Sequence, residues 1–465
     1  MQLDPNESEQ ITLNRFESML KTNDILFFDS EEFEIIINYY LDNGKMALAK
    51  KAIRIGLEQH PSATNLKLYL VEVYIIEGKL EEAEILLDDI YELEKSNEEV
   101  YIQKANIHSR KNEHTKAIAL LEIALDITLD KSEIWSLIGM EYLFMEDYEN
   151  ALLNFKLCVS HDEENRSALH NVIYCYDVLE KHQEAIDYLL EYVEKRPYSE
   201  VAWQNIGKQY YILKQYNKAL EAYDFAIISD DAFVGAYLEK GRVLEKLGFY
   251  REAIECYVLT LRLEDPTTFA LIRAGKCYEK LGDYELAEQF YLQCIDQDTL
   301  LEKAWLALIN LRMKQKEYVS AFNYVEKAIK LNNTSFKFWD RYAVLSKKLL
   351  DYESAIYGYE KCIEISEYSF KYWLKLADVQ LKLARWQDAK NLLETAIEKF
   401  PNEAEIEYRL AGIYYETFDS KRGKTFLLNA LKHDPESVDI LKKKFPHVYF
   451  NPEVLPIIST HRSKI

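Results

Sequence analysis

The sequence predicts an all-α fold of a repeating kind, an α-solenoid of stacked helical hairpins. Three observations predict it. Steps of 34 residues from Ala49 meet Ala83, Ala117, Ala151, Ala185, Ala219, Ala253, Ala287, Ala321, Ala355 and Ala389, eleven alanines in a row, before the next step lands on Gly423. Glycine (13) and proline (9) are scarce over 465 residues, which favours helix over sheet. Hydrophobic residues make up 48% of the chain, so a large core can be buried. A unit of 34 residues cannot bury its apolar faces alone and must stack on its neighbours.

The N-terminus, "MQLDPNESEQ", is acidic and polar and lacks the basic and apolar regions of a signal peptide. No apolar run approaches the ~18 residues of a membrane span. Six cysteines are spread along the chain without a CxxC pair, which argues against a disulfide framework and a zinc site. These features predict a cytoplasmic location. Residues 1–29 read as an N-terminal cap with a short helix in "ITLNRFESML", and Asp29 or Ser30 as the N-cap of the first repeat.

Twelve repeats follow, starting at residues 30, 64, 98, 132, 166, 200, 234, 268, 302, 336, 370 and 404 and ending at 437, without insertion or deletion. The alanine is position twenty. Position four is tryptophan at Trp135, Trp203, Trp305, Trp339 and Trp373. Position eight is small in most repeats, as in Ala105, Gly139, Gly241, Gly275, Ala343 and Ala377. Position seventeen is mostly aromatic and position twenty-four usually large. Each repeat therefore splits into helix A, about its first fourteen residues, and helix B, about residues seventeen to thirty. The break falls at pairs such as Gly282-Asp283, where glycine ends helix A in a left-handed conformation. Small residues at eight and twenty let the helices approach, and large ones fill the flanks. After residue 437, "SVDILKKKF" predicts a capping helix, and Pro446, Pro452 and Pro456 predict an irregular tail over the rest of 438–465.

The pattern resembles the tetratricopeptide repeat (TPR) family, shown best by Trp203, Ile206, Gly207, Tyr210, Tyr216, Ala219, Tyr223 and Ala226. The resemblance covers residues 30–437. It implies a right-handed superhelix of stacked hairpins with helix A lining the concave face. Lys104 and Lys240 depart from the apolar residue expected at position seven, and Arg312 and Ser346 at position eleven. Such departures predict less regular geometry in repeats two, three and nine. The isoleucine-, lysine- and tyrosine-rich composition is similar to that of bacterial TPR proteins, those of the Bacteroidota among them.

No phosphate loop, HExxH, GxSxG or Walker pattern is present, so no catalytic, cofactor-binding or metal residue is expected, and the protein reads as no enzyme. Only 29 residues precede the repeats and 28 follow them, too few for a catalytic domain. Cys158, Cys294 and Cys362 share position twenty-seven, and Cys175 and Cys277 position ten, where packing accounts for them. His108, His114 and His182 stand where other repeats carry tyrosine and read as half-buried substitutes.

Charge is the informative feature. The net charge is −22, and residues 1–200 account for it with 19 Lys+Arg against 41 Asp+Glu. Positions two, six, nine and thirteen form one stripe of helix A, which the family resemblance places on the concave face. In repeats seven to eleven that stripe holds Arg242, Lys246, Arg273, Lys276, Lys280, Lys303, Lys314, Lys337, Arg341, Lys348, Lys371, Lys375 and Lys382, opposed only by Glu239 and Asp378. In repeats one to five it holds Arg110 against Glu31, Asp42, Glu72, Glu99 and Glu133. Between them it turns apolar, with Leu137, Met140, Phe144, Tyr174, Val178 and Ile212. Lysine is common at position thirteen in the family, and exposed lysines often form only a solvated face.

The reading that follows is a protein-binding scaffold whose groove takes an acidic, partly apolar peptide or helix of a partner protein. Nucleic-acid binding in the basic stretch is the alternative from another class, and the overall −22 opposes it. A co-chaperone clamp for a C-terminal carboxylate is disfavoured, because Glu34, Leu68 and Ile102 occupy position five where the family's clamp places part of its Lys, Asn and Arg set.

Overall fold

The computed structural model describes residues 5–22, 26–263, 267–366 and 369–462, and they form helices, turns and no strand. The chain divides into two compact bodies. The N-terminal body comprises Met1–Pro197 and Val201–Gln215, and the C-terminal body Tyr198–Glu200 and Tyr216–Ile465.

Every repeat has the same build. Helix A covers thirteen residues, from Ser30–Asp42 in the first repeat to Ala404–Glu416 in the twelfth, with fourteen in Val234–Leu247 and Thr268–Leu281. Helix B always covers fourteen, from Met46–Gln59 to Ser420–His433. Repeats two, three and nine keep these lengths, contrary to the irregularity their sequences suggest. Each departure is compensated locally. Lys104 at position seven pairs with Asp88 at position twenty-five of the preceding repeat, 2.8 Å away, and Lys240 pairs with Asp224 in the same relation. Arg312 reaches Glu288 and Glu317, and Ser346 bonds the carbonyl of Tyr342.

The turn between the helices explains this uniformity. Position fifteen is left-handed in all twelve repeats, with φ between 55° and 85°. Position sixteen then donates its N–H to the carbonyl of position eleven at 2.7–3.1 Å, as in Lys45 to Tyr40 and Asp419 to Tyr414. This is the six-to-one bond of a Schellman motif. It uses only backbone atoms, so the side chain at position eleven is free to vary. Glycine occupies position fifteen only at Gly44, Gly78, Gly248 and Gly282. The other eight repeats hold Asn112, Glu146, Glu180, Lys214, Lys316, Leu350, Ala384 and Phe418 there. The break is therefore set by the bond pattern, with glycine an easing feature in one third of the repeats.

The small positions have defined neighbours. All eleven alanines at position twenty are fully buried. A Cβ at Gly139 would meet the Phe155 ring at 2.7 Å, one at Gly241 the Tyr257 ring at 2.7 Å, and one at Gly275 the Tyr291 ring at 2.5 Å. Position eight is thus small because position twenty-four is aromatic. Where position eight is alanine, position twenty-four is leucine in three repeats, Ala105 with Leu121, Ala377 with Leu393 and Ala411 with Leu427; Ala343 stands with Tyr359, and there Gly358 lies against it, where a Cβ would come within 2.9 Å. The aromatic at position four also ties the turn between repeats. Trp203, Trp305 and Trp339 donate their indole N–H to the carbonyl six residues earlier at 2.8–2.9 Å, and the Tyr101 and Tyr237 hydroxyls do the same at 3.1 and 3.2 Å.

Both ends are closed. A helix at Pro5–Thr22, longer than expected, buries Leu13, Phe16 and Met19, and Phe16 lies 5.8 Å from Phe28 and 6.3 Å from Phe33. Asp29 is the N-cap of the first repeat, and its N–H donates to Glu32. At the other end Asp439–Lys444 is the expected capping helix. The tail is more regular than three prolines suggest, with helices at Pro446–Tyr449 and Leu455–Arg462. Pro446 and Pro456 fall in their first turns, where a missing N–H breaks no helical bond. Phe445 fills the space left by Gly412, so helix A of the last repeat is covered as if another repeat followed.

Candidate functional site

Successive A helices within each body are joined by side chains at two recurring separations. At 31 residues, Asn65 donates to Glu34, Lys208 pairs with Asp177 and Arg409 with Asp378. At 35 residues, Lys314 pairs with Glu279 at 3.2 Å, Lys337 with Glu302 at 2.7 Å and Lys375 with Asp340 at 2.5 Å. These separations are one repeat length minus three and plus one. They follow from neighbouring A helices stacking in register, so that a side chain meets the adjacent turn of the helix before it.

This geometry sorts the thirteen basic residues of the C-terminal body. Arg242 pairs with Glu239, and Arg341 with Asp340 and the amide of Asn310. Arg273 Nε lies 2.8 Å from Glu245, outside hydrogen-bonding alignment, and Glu245 accepts from the Tyr257 hydroxyl at 2.6 Å. With Lys314, Lys337 and Lys375, six of the thirteen are matched by carboxylates. The acidic partners stand mainly at positions one, five and twelve, beside the stripe, where a count of the stripe alone misses them.

Position thirteen has its own explanation. Lys314, Lys348 and Lys382 each lie over the position-seventeen tyrosine of the preceding repeat, at 5.2 Å from Tyr284, 5.9 Å from Tyr318 and 4.8 Å from Tyr352. Such cation–π contacts account for a lysine without any ligand. Lys246, Lys276, Lys280, Lys303 and Lys371 remain. All five are exposed, and none meets a carboxylate among the described residues. Farther along, burial would raise the Asp378 carboxyl, but Arg409 and Lys444 outweigh it and hold it below the usual range. Lys444 comes from the capping helix, 66 residues from Asp378, and no repeat register points to it.

The N-terminal body presents a different surface. A cavity of about 660 Å³ crosses the A helices Thr64–Ile76, Glu98–Arg110 and Ser132–Phe144. Ile75, Ile76, Leu137, Met140 and Phe144 supply its apolar walls. A second cavity of about 310 Å³ shares Glu72 and Gln103 with it and adds Glu34, Tyr69 and Glu99. Of the six apolar residues on the stripe, Phe144 is 58% exposed, Tyr174 46%, Val178 41% and Ile212 41%, while Leu137 and Met140 are half-buried. Ile75 and Ile76 extend the apolar wall to repeat two. Ile76 stands at position thirteen of that repeat, a single stripe isoleucine between Glu72 and Glu77.

Burial, with Glu99 and Asp42 nearby, raises the Glu72 carboxyl above the usual range. Burial and the charges of Glu133 and Glu98 raise Glu99, against a hydrogen bond from Gln103. The histidines are half-buried: His108 bonds Glu113 at 2.6 Å, His114 bonds Glu141 at 2.9 Å and His182 bonds Gln209 at 2.8 Å. All six cysteines are buried, and burial pushes their thiols up to about 11 in Cys158, Cys175, Cys256 and Cys294 and about 12 in Cys277 and Cys362. Such thiols are poor nucleophiles.

Comparison with known proteins agrees with the repeat. Sequence models described as tetratricopeptide repeat match residues 36–98, 132–165, 270–299 and 374–419. The chain is a tetratricopeptide repeat protein. No curated protein matches it. Similar solved structures include a tetratricopeptide repeat protein from Parabacteroides merdae, 15% identical over 53% of this chain and 97% of that one, with a TM-score of 0.38. YrrB, described as a TPR protein with an unusual peptide-binding site, is 16% identical over 40% of this chain and 95% of that one, at 0.33. The Cut9–Hcn1 structure is 14% identical over 90% of this chain and 96% of that one, at 0.32. Proteins of this family are typically interaction scaffolds rather than enzymes. Among the described residues no helix is long and apolar enough to cross a membrane.

Proposed function

We propose that this protein is a scaffold that captures a partner protein, and that the A-helix face of its C-terminal body holds an acidic segment of that partner. The observation behind this reading is the set of exposed stripe lysines with neither a carboxylate nor an aromatic ring against them among the described residues, Lys246, Lys276, Lys280, Lys303 and Lys371, on four A helices within repeats seven to eleven. Charges matched inside the fold are already neutralised. These five are not, and a row of one sign attracts the opposite sign over about a Debye length, 8–10 Å at ordinary salt. Arg242, Arg273, Lys314, Lys337, Arg341 and Lys375 then serve mainly to hold neighbouring turns together, and they would contribute field rather than direct contacts.

The test uses Lys276→Glu, Lys303→Glu and Lys371→Glu together, since these side chains leave no ion pair broken. The triple variant and the wild-type chain are titrated against a labelled peptide of alternating glutamate and leucine, by fluorescence anisotropy at low and physiological salt. Wild type should bind in a salt-dependent way, and the variant at least ten-fold more weakly. Equal binding by both proteins would remove the basis for this reading. Arg273→Glu is unsuitable, because it would place a second carboxylate beside Glu245.

A further inference from the structure

We propose that the apolar groove of the N-terminal body is a second, separate docking site, and that its occupant is a partner segment carrying apolar anchors followed by lysine or arginine. The groove consists of two cavities that share Glu72 and Gln103 and together run over four A helices, from Ser30–Asp42 to Ser132–Phe144. Its apolar end is formed by Ile75, Ile76, Leu137, Met140 and Phe144, and its polar end by Glu34, Glu72 and Glu99, with Glu72 lining both cavities. An apolar surface of this extent, open to solvent and rimmed by polar groups, marks a binding surface.

Charge complementarity decides what lies there. Some carboxylates elsewhere on this body are matched: Glu77 by Lys50 and Lys79, Glu84 by Lys111, Asp88 by Lys104 and Glu149 by Lys181. Inside the groove Glu34 receives only the amide of Asn65, and Glu99 only that of Gln103. Glu72 has no cation among the described residues. Among the described residues lining the two cavities, Arg110 is the single arginine or lysine, in the larger cavity, against Glu34, Glu72, Glu99 and Glu141. Burial there keeps two of the carboxyls above their usual range, which an incoming cation would reverse. An acidic segment would face this repulsion directly, so this site and the lysine-lined face select opposite partners. The inference is independent of the proposed role of the C-terminal body, because no residue is shared.

The experiment uses the full chain and two labelled probe peptides with identical leucine and phenylalanine positions. One carries lysine at its polar positions and the other glutamate. The wild-type chain should bind the lysine peptide at least ten-fold more tightly than Glu72→Gln/Glu99→Gln and than Leu137→Ser/Phe144→Ser. The Lys276→Glu/Lys303→Glu/Lys371→Glu variant should bind it as wild type does. Thermal melts separate binding from folding: removing two repelling half-buried charges should leave Glu72→Gln/Glu99→Gln at least as stable as wild type. The proposal is overturned if the lysine peptide binds the two groove variants as well as it binds wild type. It is also overturned if the chain self-associates through this face, shown by a concentration-dependent mass that the groove variants abolish.

Discussion

Gly275→Ala tests the packing rule that shapes every hairpin. A Cβ there would lie 2.5 Å from Cε1 and 2.8 Å from Cδ1 of Tyr291. Ordinary carbon contacts are about 3.5–4.0 Å, so the ring must retreat by about 1 Å. It has little freedom to do so. Tyr291 is fully buried, and its hydroxyl donates to Glu279 at 3.3 Å. Overpacking of this kind costs about 1–3 kcal/mol, and the tight contact puts it near the upper end. Alanine is the better helix former by about 1 kcal/mol. The net expectation is a loss of about 2 kcal/mol. Tyr291→Leu should relieve it, because Ala105/Leu121, Ala377/Leu393 and Ala411/Leu427 use that combination in other repeats. A double-mutant cycle, followed by urea unfolding read from backbone circular dichroism, should give a coupling of about 2 kcal/mol between the two sites. If Gly275→Ala is as stable as wild type, or if the coupling is below about 0.5 kcal/mol, positions eight and twenty-four do not constrain each other and the argument fails.

Two further outcomes follow from features of the turns and the C-terminal end. Leu350 is 70% exposed with φ 65°, so Leu350→Gly should remove left-handed strain of about 1–2 kcal/mol against a smaller entropic cost, and raise the urea midpoint of the C-terminal body. A lower midpoint would mean that the leucine side chain contributes more than its conformation costs. Asp378→Asn should destabilise by about 3 kcal/mol at pH 7, since Arg409 is buried against that carboxylate. The Asp378 carboxyl is held low in the folded state, so its contribution is complete above the unfolded value of about 4 and is lost as pH falls through the folded one. The difference between wild type and variant, followed by denaturant melts, should therefore shrink only below about pH 4, and a difference that does not change with pH contradicts the assignment.

The repeat was legible because each constraint on it is local and periodic. The alanines, the tryptophans and the small residues at position eight recur every 34 residues, and helix boundaries follow from them. The left-handed turn was only partly legible. Four glycines announce it, while residues such as Leu350 and Phe418 adopt it because the bond from position sixteen to position eleven leaves the backbone no alternative. The lysine-rich stripe was visible as a count but not as a set of contacts. Whether Lys314 is free depends on Glu279, which lies one turn away on another helix and 35 residues back. A search for acids 31 or 35 residues before each base would have found the pairs of Lys314, Lys337 and Lys375 and missed those of Arg242, Arg273 and Arg341. Lys444 would still have escaped it, because the capping helix lies outside the register.

The same contact spacings make the array open to splicing. Removing residues 268–301 would join repeat seven to repeat nine with every helix boundary intact. Glu245 would then face Lys314 with 35 positions between them, as Glu279 does in the whole chain. The glycine–ring pairs would be undisturbed, since both members belong to one repeat. A cut that is not a multiple of 34 residues would put acids opposite apolar residues and turns opposite helices. Whole 34-residue modules are therefore the units that can be added to or taken from this array while the joints keep their chemistry.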